Sequence, residues 1–273
     1  MLLLNNDNYY TNEANQAYWS ASQVKSFLRC EAGALAEING EYKPEATQAL
    51  LMGSFIDAYV EGLQSFARFN EAHPDIFKRD GTLKAEFSRA RTMIDRMEHD
   101  RVFMDYLEGE KQTIWTGEIS SLPFKAKLDV YRPGERIVDL KTVKDLEPVY
   151  VPGEGRLAYY DAWNWPLQMA IYQELVFQST GDRLPTYLAV VTKEDPPTLD
   201  LVEIPQWRLD AELEFLQGIM PRLDAIKSGI IEPERCEKCA WCRQSKVITG
   251  PRVIERIDTE DGPMFSTSYV ANK

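Results

Sequence analysis

Two aspartates and a lysine in the middle of the chain are the residues best suited to chemistry. Asp129 lies near the end of one predicted strand, and Asp139 and Lys141 lie on the next. Alternate residues of a strand point to the same face, so Asp139 and Lys141 share one. A predicted turn at 133–135 brings Asp129 close to Asp139. Two carboxylates suit Mg²⁺ or Mn²⁺, and the lysine would orient a water and offset charge on a phosphate.

The pair formed by Asp139 and Lys141 is also compatible with an ordinary ion pair on the protein surface. The strand around the pair is apolar, however, at Ile137, Val138 and Leu140. Charged side chains within such a run are expected to be buried, and buried charges require a partner or a metal. The apolar context therefore favours a functional site.

Two further pairs have helical spacing. Asp57 and Glu61 follow Gly53 on one helix face, where two acids are unfavourable without a cation. They predict a third metal ligand at Asp57, with Glu61 as a further candidate, and a solvated helix face is the alternative. Gln168 and Tyr172 share a face of a later helix, a pattern that by itself is more typical of core packing.

The four cysteines form a second candidate metal site. Cys236, Cys239 and Cys242 follow one another with two residues between them, and Cys30 is the only other cysteine. Structural Zn²⁺ sites usually have two separate Cys-x2-Cys pairs, so the pattern favours a [4Fe–4S] cluster, with Zn²⁺ as the alternative. An ordinary buried helical cysteine is the competing interpretation of Cys30.

Hydrophobic periodicity predicts the elements that position these residues. Helical spacing is present at 20–39, 45–62, 84–108, 166–178 and 207–227. Strand-like alternation is present at 113–119, 122–131, 136–141, 187–192 and 199–204. We therefore predict one α/β domain over residues 1–250, followed by a tail at 251–273 that is a candidate docking arm.

Residues 145–165 are predicted to form a loop rich in proline, glycine and aromatic residues. Its aromatic residues are Tyr150, Tyr159, Tyr160, Trp163 and Trp165. Two interpretations are open. The loop either stacks on unpaired bases of a nucleic acid or forms a packed lid.

Composition excludes several classes of protein. The 273 residues include only two histidines, His73 and His99, which excludes a histidine-rich metal centre. Neither a Walker-type phosphate-binding motif nor a Gly-x-Ser-x-Gly motif occurs. The apolar start, Met1 to Leu4, is too short for a secretory signal, and no run has the length of a membrane span. We therefore expect a soluble, cytoplasmic protein without membrane partners.

The charge balance restricts how the protein could bind nucleic acid. There are 31 basic and 43 acidic side chains, giving a net charge of −12. Neutralising phosphates requires Lys and Arg, so any nucleic-acid role needs a local basic surface. Four basic residues beside the cysteines are candidates for that surface: Arg235, Lys238, Arg243 and Lys246.

Taken together and in order, these motifs resemble the PD-(D/E)xK nuclease superfamily, and within it the RecB-like and RecE-like (exodeoxyribonuclease VIII type) phage exonucleases. The family pattern is Gly-x3-His-x3-Glu on a helix, then Asp, then Asp/Glu-x-Lys, then Gln-x3-Tyr. The matching residues are Gly53, Asp57, Glu61, Asp129, Asp139, Lys141, Gln168 and Tyr172. Asp57 replaces the family histidine, and a carboxylate binds Mg²⁺ as well as an imidazole does. The resemblance covers residues 20–245.

The resemblance implies a restriction-endonuclease-like core, in which helices flank a central mixed sheet of about five strands and further helices are added at the N-terminus. It also implies metal-dependent hydrolysis of DNA phosphodiesters. The three aspartates would bind Mg²⁺ or Mn²⁺, Lys141 would position the attacking water, and Gln168 and Tyr172 would contact DNA near the site. Glu118, on the neighbouring strand, is either an additional site residue or an exposed strand acid, and the second interpretation is favoured.

The cysteine pattern is similar to that of iron–sulfur nucleases of the same superfamily, although its last spacing is shorter. The resemblance favours a 5′–3′ exonuclease on duplex DNA ends, of the phage recombination type. Such an enzyme would work with a single-strand annealing protein and form a homo-oligomeric ring. Two alternatives stay open: a CRISPR-adaptation or repair nuclease acting on single strands, and a catalytically inactive nuclease-like domain used for DNA binding or assembly.

Overall fold

The structure is a computed structural model that describes residues 2–45, 47–248, 250–259 and 262–269. The helices are α1 Asn12–Ala17, α2 Ala21–Arg29, α3 Glu31–Ile38, α4 Gln48–Glu61, α5 Leu63–Ala72, α6 Ala85–Glu98, α7 Arg101–Tyr106, α8 Tyr159–Ala162, α9 Trp165–Thr180, α10 Gln206–Lys227 and α11 Ala240–Gln244. The strands are β1 Glu110–Ile119, β2 Leu122–Arg132, β3 Arg136–Val143, β4 Val149–Val151, β5 Gly155–Leu157, β6 Thr186–Thr192, β7 Leu199–Ile204, β8 Arg252–Thr259 and β9 Gly262–Tyr269.

Five strands form the central sheet in the order β1-β2-β3-β6-β7. Only β3 and β6 run parallel, and the other pairs are antiparallel. Ser120 and Ser121 close the β1–β2 hairpin with φ angles of 54° and 60°, the left-handed backbone that suits the twist of a tight hairpin. The predicted α/β fold with a mixed sheet of about five strands is thereby confirmed.

Helices cover both faces of the sheet. On β3, Ile137 belongs to the core packed with α2, α9 and α10, whereas its neighbour Val138 belongs to the core packed with α4 and α6. A sheet that is covered on both faces requires apolar residues at successive positions, which explains the unbroken apolar run around Asp139. Among the described helices, none combines the length and the apolar character needed to cross a membrane.

Two predicted helices are each divided in the structure. The helix predicted at 20–39 begins with the expected cap at Ser20 but breaks at Cys30, where φ is −167° and ψ is 106°. The Cys30 thiol accepts the N–H of Gly33 at 3.4 Å and caps α3. The helix predicted at 84–108 breaks before Asp100, whose carboxylate caps α7 through the N–H of Phe103 at 3.0 Å. In both cases a side chain replaces the backbone bonds of a continuous helix.

Several segments contain more structure than the sequence pattern predicted, including α1 and α5, which no predicted helix covers. The predicted loop at 145–165 contains the short β4–β5 hairpin and α8. The predicted tail contains β8 and β9, which pair as a two-stranded sheet of their own, and its residues 260–261 and 270–273 lie outside the described residues.

Candidate active site and four-thiol centre

The candidate active site lies where β2 and β3 separate. The two strands pair as far as Val130 and Val138, and beyond that point the ladder opens. Asp129 and Asp139 are the next residues on the two strands. Instead of backbone pairing, the Asp129 carboxylate Oδ2 accepts the N–H of Leu140 at 3.0 Å. The opening therefore places both aspartates side by side.

Asp139 is the most buried acid of the site, with 2% of its surface exposed. Its Oδ1 accepts a hydrogen bond from Gln168 Nε2 at 2.8 Å. Its Oδ2 forms an ion pair with Lys141 Nζ, but no hydrogen bond of normal geometry satisfies that oxygen. The ammonium of Lys141 also lies 5.7 Å from the centre of the Trp165 ring. As predicted from the strand period, Asp139 and Lys141 share a face of β3.

Helix α9 supplies the amide and the phenol. Gln168 Nε2 lies 3.0 Å from the hydroxyl of Tyr172, one turn further along the helix. The amide oxygen of Gln168 accepts a hydrogen bond from Lys25 Nζ at 2.6 Å. Sequence analysis did not identify Lys25, since nothing in the spacing of α2 indicates that it packs against α9.

Helix α4 brings Asp57 to the site because a glycine allows it to approach the sheet. A Cβ at Gly53 would lie 3.3 Å from Thr142 Oγ1 on β3, which is closer than ordinary packing. One turn later, Asp57 is half-buried beside the opening. Glu61 is exposed and lines a cavity of about 330 Å³ together with Asp57 and Asp129.

The structure does not bring Glu118 to the site. Glu118 pairs with Pro123 on β2, distant from Asp129 along the strand, and its side chain is exposed. Its backbone N–H and C=O instead bond the side chain of Gln178 on α9, at 2.9 and 2.7 Å. On β1 the residue that reaches the site is Gln112, which donates to Asp129 Oδ1 at 3.1 Å. Sequence reasoning missed Gln112.

The site has more negative charge than its own residues neutralise. Burial raises the pKa of Asp129 well above its ordinary value, and repulsion from Asp139 and Asp57 adds to the effect. Burial also raises the pKa of Asp57 to about 7, although Lys141 opposes the shift. For Lys141, burial lowers the pKa, but Asp139 and Asp129 outweigh burial and the net shift is upward. A bound cation would relieve the excess.

The residues fit a hard divalent cation such as Mg²⁺ or Mn²⁺. Such ions prefer carboxylate oxygens, and the buried Oδ2 of Asp139 has the Lys141 ammonium beside it but no hydrogen bond of normal geometry. The carboxylate oxygens of Asp57, Asp129 and Asp139 lie further from one another than do the four cysteine sulfurs described below. Among the described residues, only the four cysteines place three or more ligand atoms all within 4.8 Å of one another.

Without metal, the protein is expected to lose stability as pH rises, because of Asp57. Its folded pKa of about 7 exceeds the ordinary 3.8, so between these values the folded protein keeps a proton that the unfolded chain has released. The free energy of unfolding therefore falls through this window. The side-chain amide introduced by Asp57→Asn cannot ionise, so the substitution should raise the free energy of unfolding near pH 8 by about 4 kcal/mol, with little effect near pH 4.

Urea unfolding at both pH values, in the presence of a chelator, measures this difference. Asp75→Asn, at an exposed carboxylate outside the site, controls for the loss of one acid. Equal stability of Asp57→Asn and the wild type near pH 8 would contradict the assignment of Asp57 to a buried acidic cluster.

A cleft of about 1150 Å³ opens beside Lys141. Its basic residues are Arg29, Lys141, Lys144, Arg156 and Lys193. Its acidic residues are Asp57, Asp145 and Glu147, so the wall of the cleft has a positive excess in a chain of net charge −12. In the predicted patch near the cysteines, by contrast, Arg235 and Lys246 are both paired with Glu237, at 3.0 and 2.9 Å.

The aromatic segment contains both buried and exposed rings. Tyr159 and Trp165 are buried and pack edge to face, with ring centres 5.9 Å apart. Trp163 also lines the cleft, but 53% of its surface is exposed. Its indole is therefore accessible to a ligand in the cleft.

The four cysteines form a compact cluster of thiols. Cys30 Sγ lies 3.5 Å from Cys242 Sγ and 3.7 Å from Cys239 Sγ, and Cys236 Sγ lies 3.9 Å from Cys242 Sγ. Four sulfurs at about 2.3 Å from one tetrahedral Zn²⁺ would be separated by about 3.8 Å. In a [4Fe–4S] cluster each thiolate binds a different iron, so the sulfurs lie further apart than around a single ion. The observed separations are close to those around one ion, and the four cysteines fit a Zn²⁺ or an iron–sulfur site.

Backbone donors prepare these thiols to act as ligands. Cys236 Sγ accepts the N–H groups of Cys239 at 3.3 Å and Lys238 at 3.5 Å. Although burial raises the pKa of Cys236, these donors outweigh burial and lower it to about 6. Cys239 Sγ accepts the N–H of Cys242 at 3.4 Å, but there burial outweighs the donor and raises the pKa. The thiolate is the form that binds metal.

A crystal structure from Eubacterium rectale has the same fold. Its sequence is 38% identical, the alignment covers 92% of this chain and 96% of that chain, and the TM-score is 0.87. That protein is described as a "Putative exonuclease". No curated protein matches the chain.

A family model described as a PDDEXK-like domain of unknown function (DUF3799) matches residues 20–245. The matched range contains both the acidic site and all four cysteines. The membership of the PD-(D/E)xK superfamily that the motifs predicted is thereby confirmed. The chain belongs to this PDDEXK-like family.

Proposed function

We propose that the protein is a metal-dependent exonuclease of the RecE-like type, which hydrolyses duplex DNA from its ends in the 5′–3′ direction. The observation that carries the proposal is the convergence of Asp129, Asp139 and Lys141 where β2 and β3 separate. The family match and the relative described as an exonuclease support a nuclease.

In this proposal the three aspartates and the lysine have different roles. Asp57, Asp129 and Asp139 would hold Mg²⁺ or Mn²⁺, which when bound supplies charge neutralisation at the phosphate and acidifies water. Because its pKa is raised, Lys141 stays protonated near pH 7 and acts as a hydrogen-bond donor. It would orient the attacking water and stabilise the charge that develops on the phosphate oxygens.

The cleft offers a path for a DNA strand that leads to Lys141. Its positive excess matches the phosphate backbone, and the exposed indole of Trp163 offers a face on which an unpaired base can stack. If the terminal bases of the duplex separate at the site, such a stacking face would stabilise them once separated.

Digestion of end-labelled linear duplex against covalently closed circular duplex, with and without Mg²⁺, tests the proposal. We expect nucleotide release from the linear DNA only, Mg²⁺ dependence, and early loss of a 5′ label relative to a 3′ label. Cleavage confined to single strands would favour the repair-type nuclease. DNA binding without any cleavage would favour the inactive assembly domain.

We further propose that the four thiols hold a structural metal. The sulfur separations of 3.5–3.9 Å favour one tetrahedral Zn²⁺ over the [4Fe–4S] cluster. The annealing partner, the homo-oligomeric ring and the cytoplasmic location stay predictions, and a light-scattering mass equal to one chain would count against the ring.

A further inference from the structure

We infer that Lys25 is a positioning residue of the active site, and that it acts through the side chain of Gln168. Lys25 lies on α2, far from the predicted motifs in sequence, yet its Nζ donates to Gln168 Oε1 at 2.6 Å. The inference rests on the proposed function for its catalytic consequence, but its effect on the acidic site is measurable without hydrolysis.

The orientation of the Gln168 amide decides whether its NH₂ group or its oxygen contacts the Asp139 carboxylate. The amide oxygen is occupied by the Lys25 ammonium, so the NH₂ group is directed at Asp139 Oδ1, at 2.8 Å, and at the hydroxyl of Tyr172. A glutamine amide rotated by half a turn would place its oxygen against the carboxylate instead, a repulsive contact. An ammonium can only donate, so Lys25 excludes the rotated arrangement.

The position of Lys25 is fixed because α2 is held at both ends. At its start, the N–H of Trp19 donates to Pro123 O, and the N–H of Lys125 donates to Trp19 O, both at 2.8 Å. This joins the chain before α2 to β2, the strand that contains Asp129. At its end, Cys30 lies in the four-thiol cluster. The helix therefore presents Lys25 to α9 from a rigid frame.

The surroundings of Lys25 indicate positioning and not direct contact with substrate. Arg29, one turn further along α2, is exposed and lines the cleft, whereas Lys25 is half-buried with its Nζ engaged by Gln168. Burial lowers the pKa of Lys25 to about 7, with Lys141 and Arg29 adding to the shift and Asp139 opposing it. A strong acceptor such as the Gln168 oxygen favours the protonated form.

A double-mutant cycle tests the inference. Lys25→Met and Gln168→Ala are made singly and together, with Lys25→Arg as the conservative variant and the exposed Lys78→Met as control. The readouts are kcat and KM on linear duplex, and the Kd for Mn²⁺ by calorimetry. We expect Lys25→Met to lower kcat or weaken Mn²⁺ binding by about 10–100-fold, with little change in KM.

Because Lys25 acts through Gln168, the double variant should be no worse than Gln168→Ala alone, and Lys25→Arg should recover part of the loss. Additive losses, or a loss in KM alone, would show direct substrate contact and overturn the inference. So would a Lys25→Met variant that matches Lys78→Met in kcat and in Mn²⁺ affinity. A wild type without nuclease activity overturns the proposed function, and the Mn²⁺ cycle then still decides the role of Lys25.

Discussion

Replacing Lys141 with alanine is expected to reduce hydrolysis of linear DNA by about 10³-fold, since a preorganised donor at a developing charge is typically worth that much. Mn²⁺ binding should persist. The Lys141 ammonium occupies Asp139 Oδ2 in the structure, and its removal frees that oxygen for a cation. The variant should therefore separate catalysis from metal binding.

Single-turnover digestion and calorimetry with Mn²⁺ measure the two effects, and circular dichroism verifies the fold. Asp139→Asn supplies the contrast, because it should lose both metal and activity. The exposed Lys78→Ala controls for the loss of one positive charge. A rate of hydrolysis in Lys141→Ala equal to that of the wild type would contradict the assignment of the nuclease site to β3.

The sequence predicted the parts of this site that depend on local periodicity. Asp139 and Lys141 are two residues apart on a strand, and the strand period alone places them on one face. Their burial followed from Ile137, Val138 and Leu140, which the structure places against helices on both sides of the sheet. Such short-range patterns carry over directly into structure.

Lys25 and Gln112 were not predicted from the sequence because their roles depend on packing between distant segments. Lys25 meets Gln168 across 143 residues of sequence, and Gln112 reaches Asp129 only because β1 and β2 pair in one register. The break at Cys30 is of the same kind. Local spacing favoured an unbroken helix, whereas the thiol cap and the three distant cysteines favour an extended residue at that position.

At Cys30, exchanging one sulfur for one oxygen is expected to have the largest effect on stability of any change of this kind. Cys30 and Cys242 are 212 residues apart, and a shared metal ion closes the loop between them. By the argument used for disulfides, closing so long a loop removes unfolded-state entropy worth about 5 kcal/mol at this length. Cys30→Ser should therefore lose the metal and lower Tm by about 10 °C.

Metal analysis and calorimetric melting of Cys30→Ser against wild type measure both effects, with Leu28→Ser as the control, since Leu28 lies on the same helix but is partly exposed and outside the cluster. We expect colourless wild-type protein with one Zn²⁺ per chain, as the sulfur spacing favours. Brown protein with about four irons per chain would instead establish the [4Fe–4S] cluster at the same cysteines. Metal-free wild type with the same Tm as Cys30→Ser would contradict both kinds of metal site.

Because α2 ends at Cys30 and contains Lys25, loss of the metal should also weaken Mn²⁺ binding at Asp139. A metal site with only local effects would lack this link.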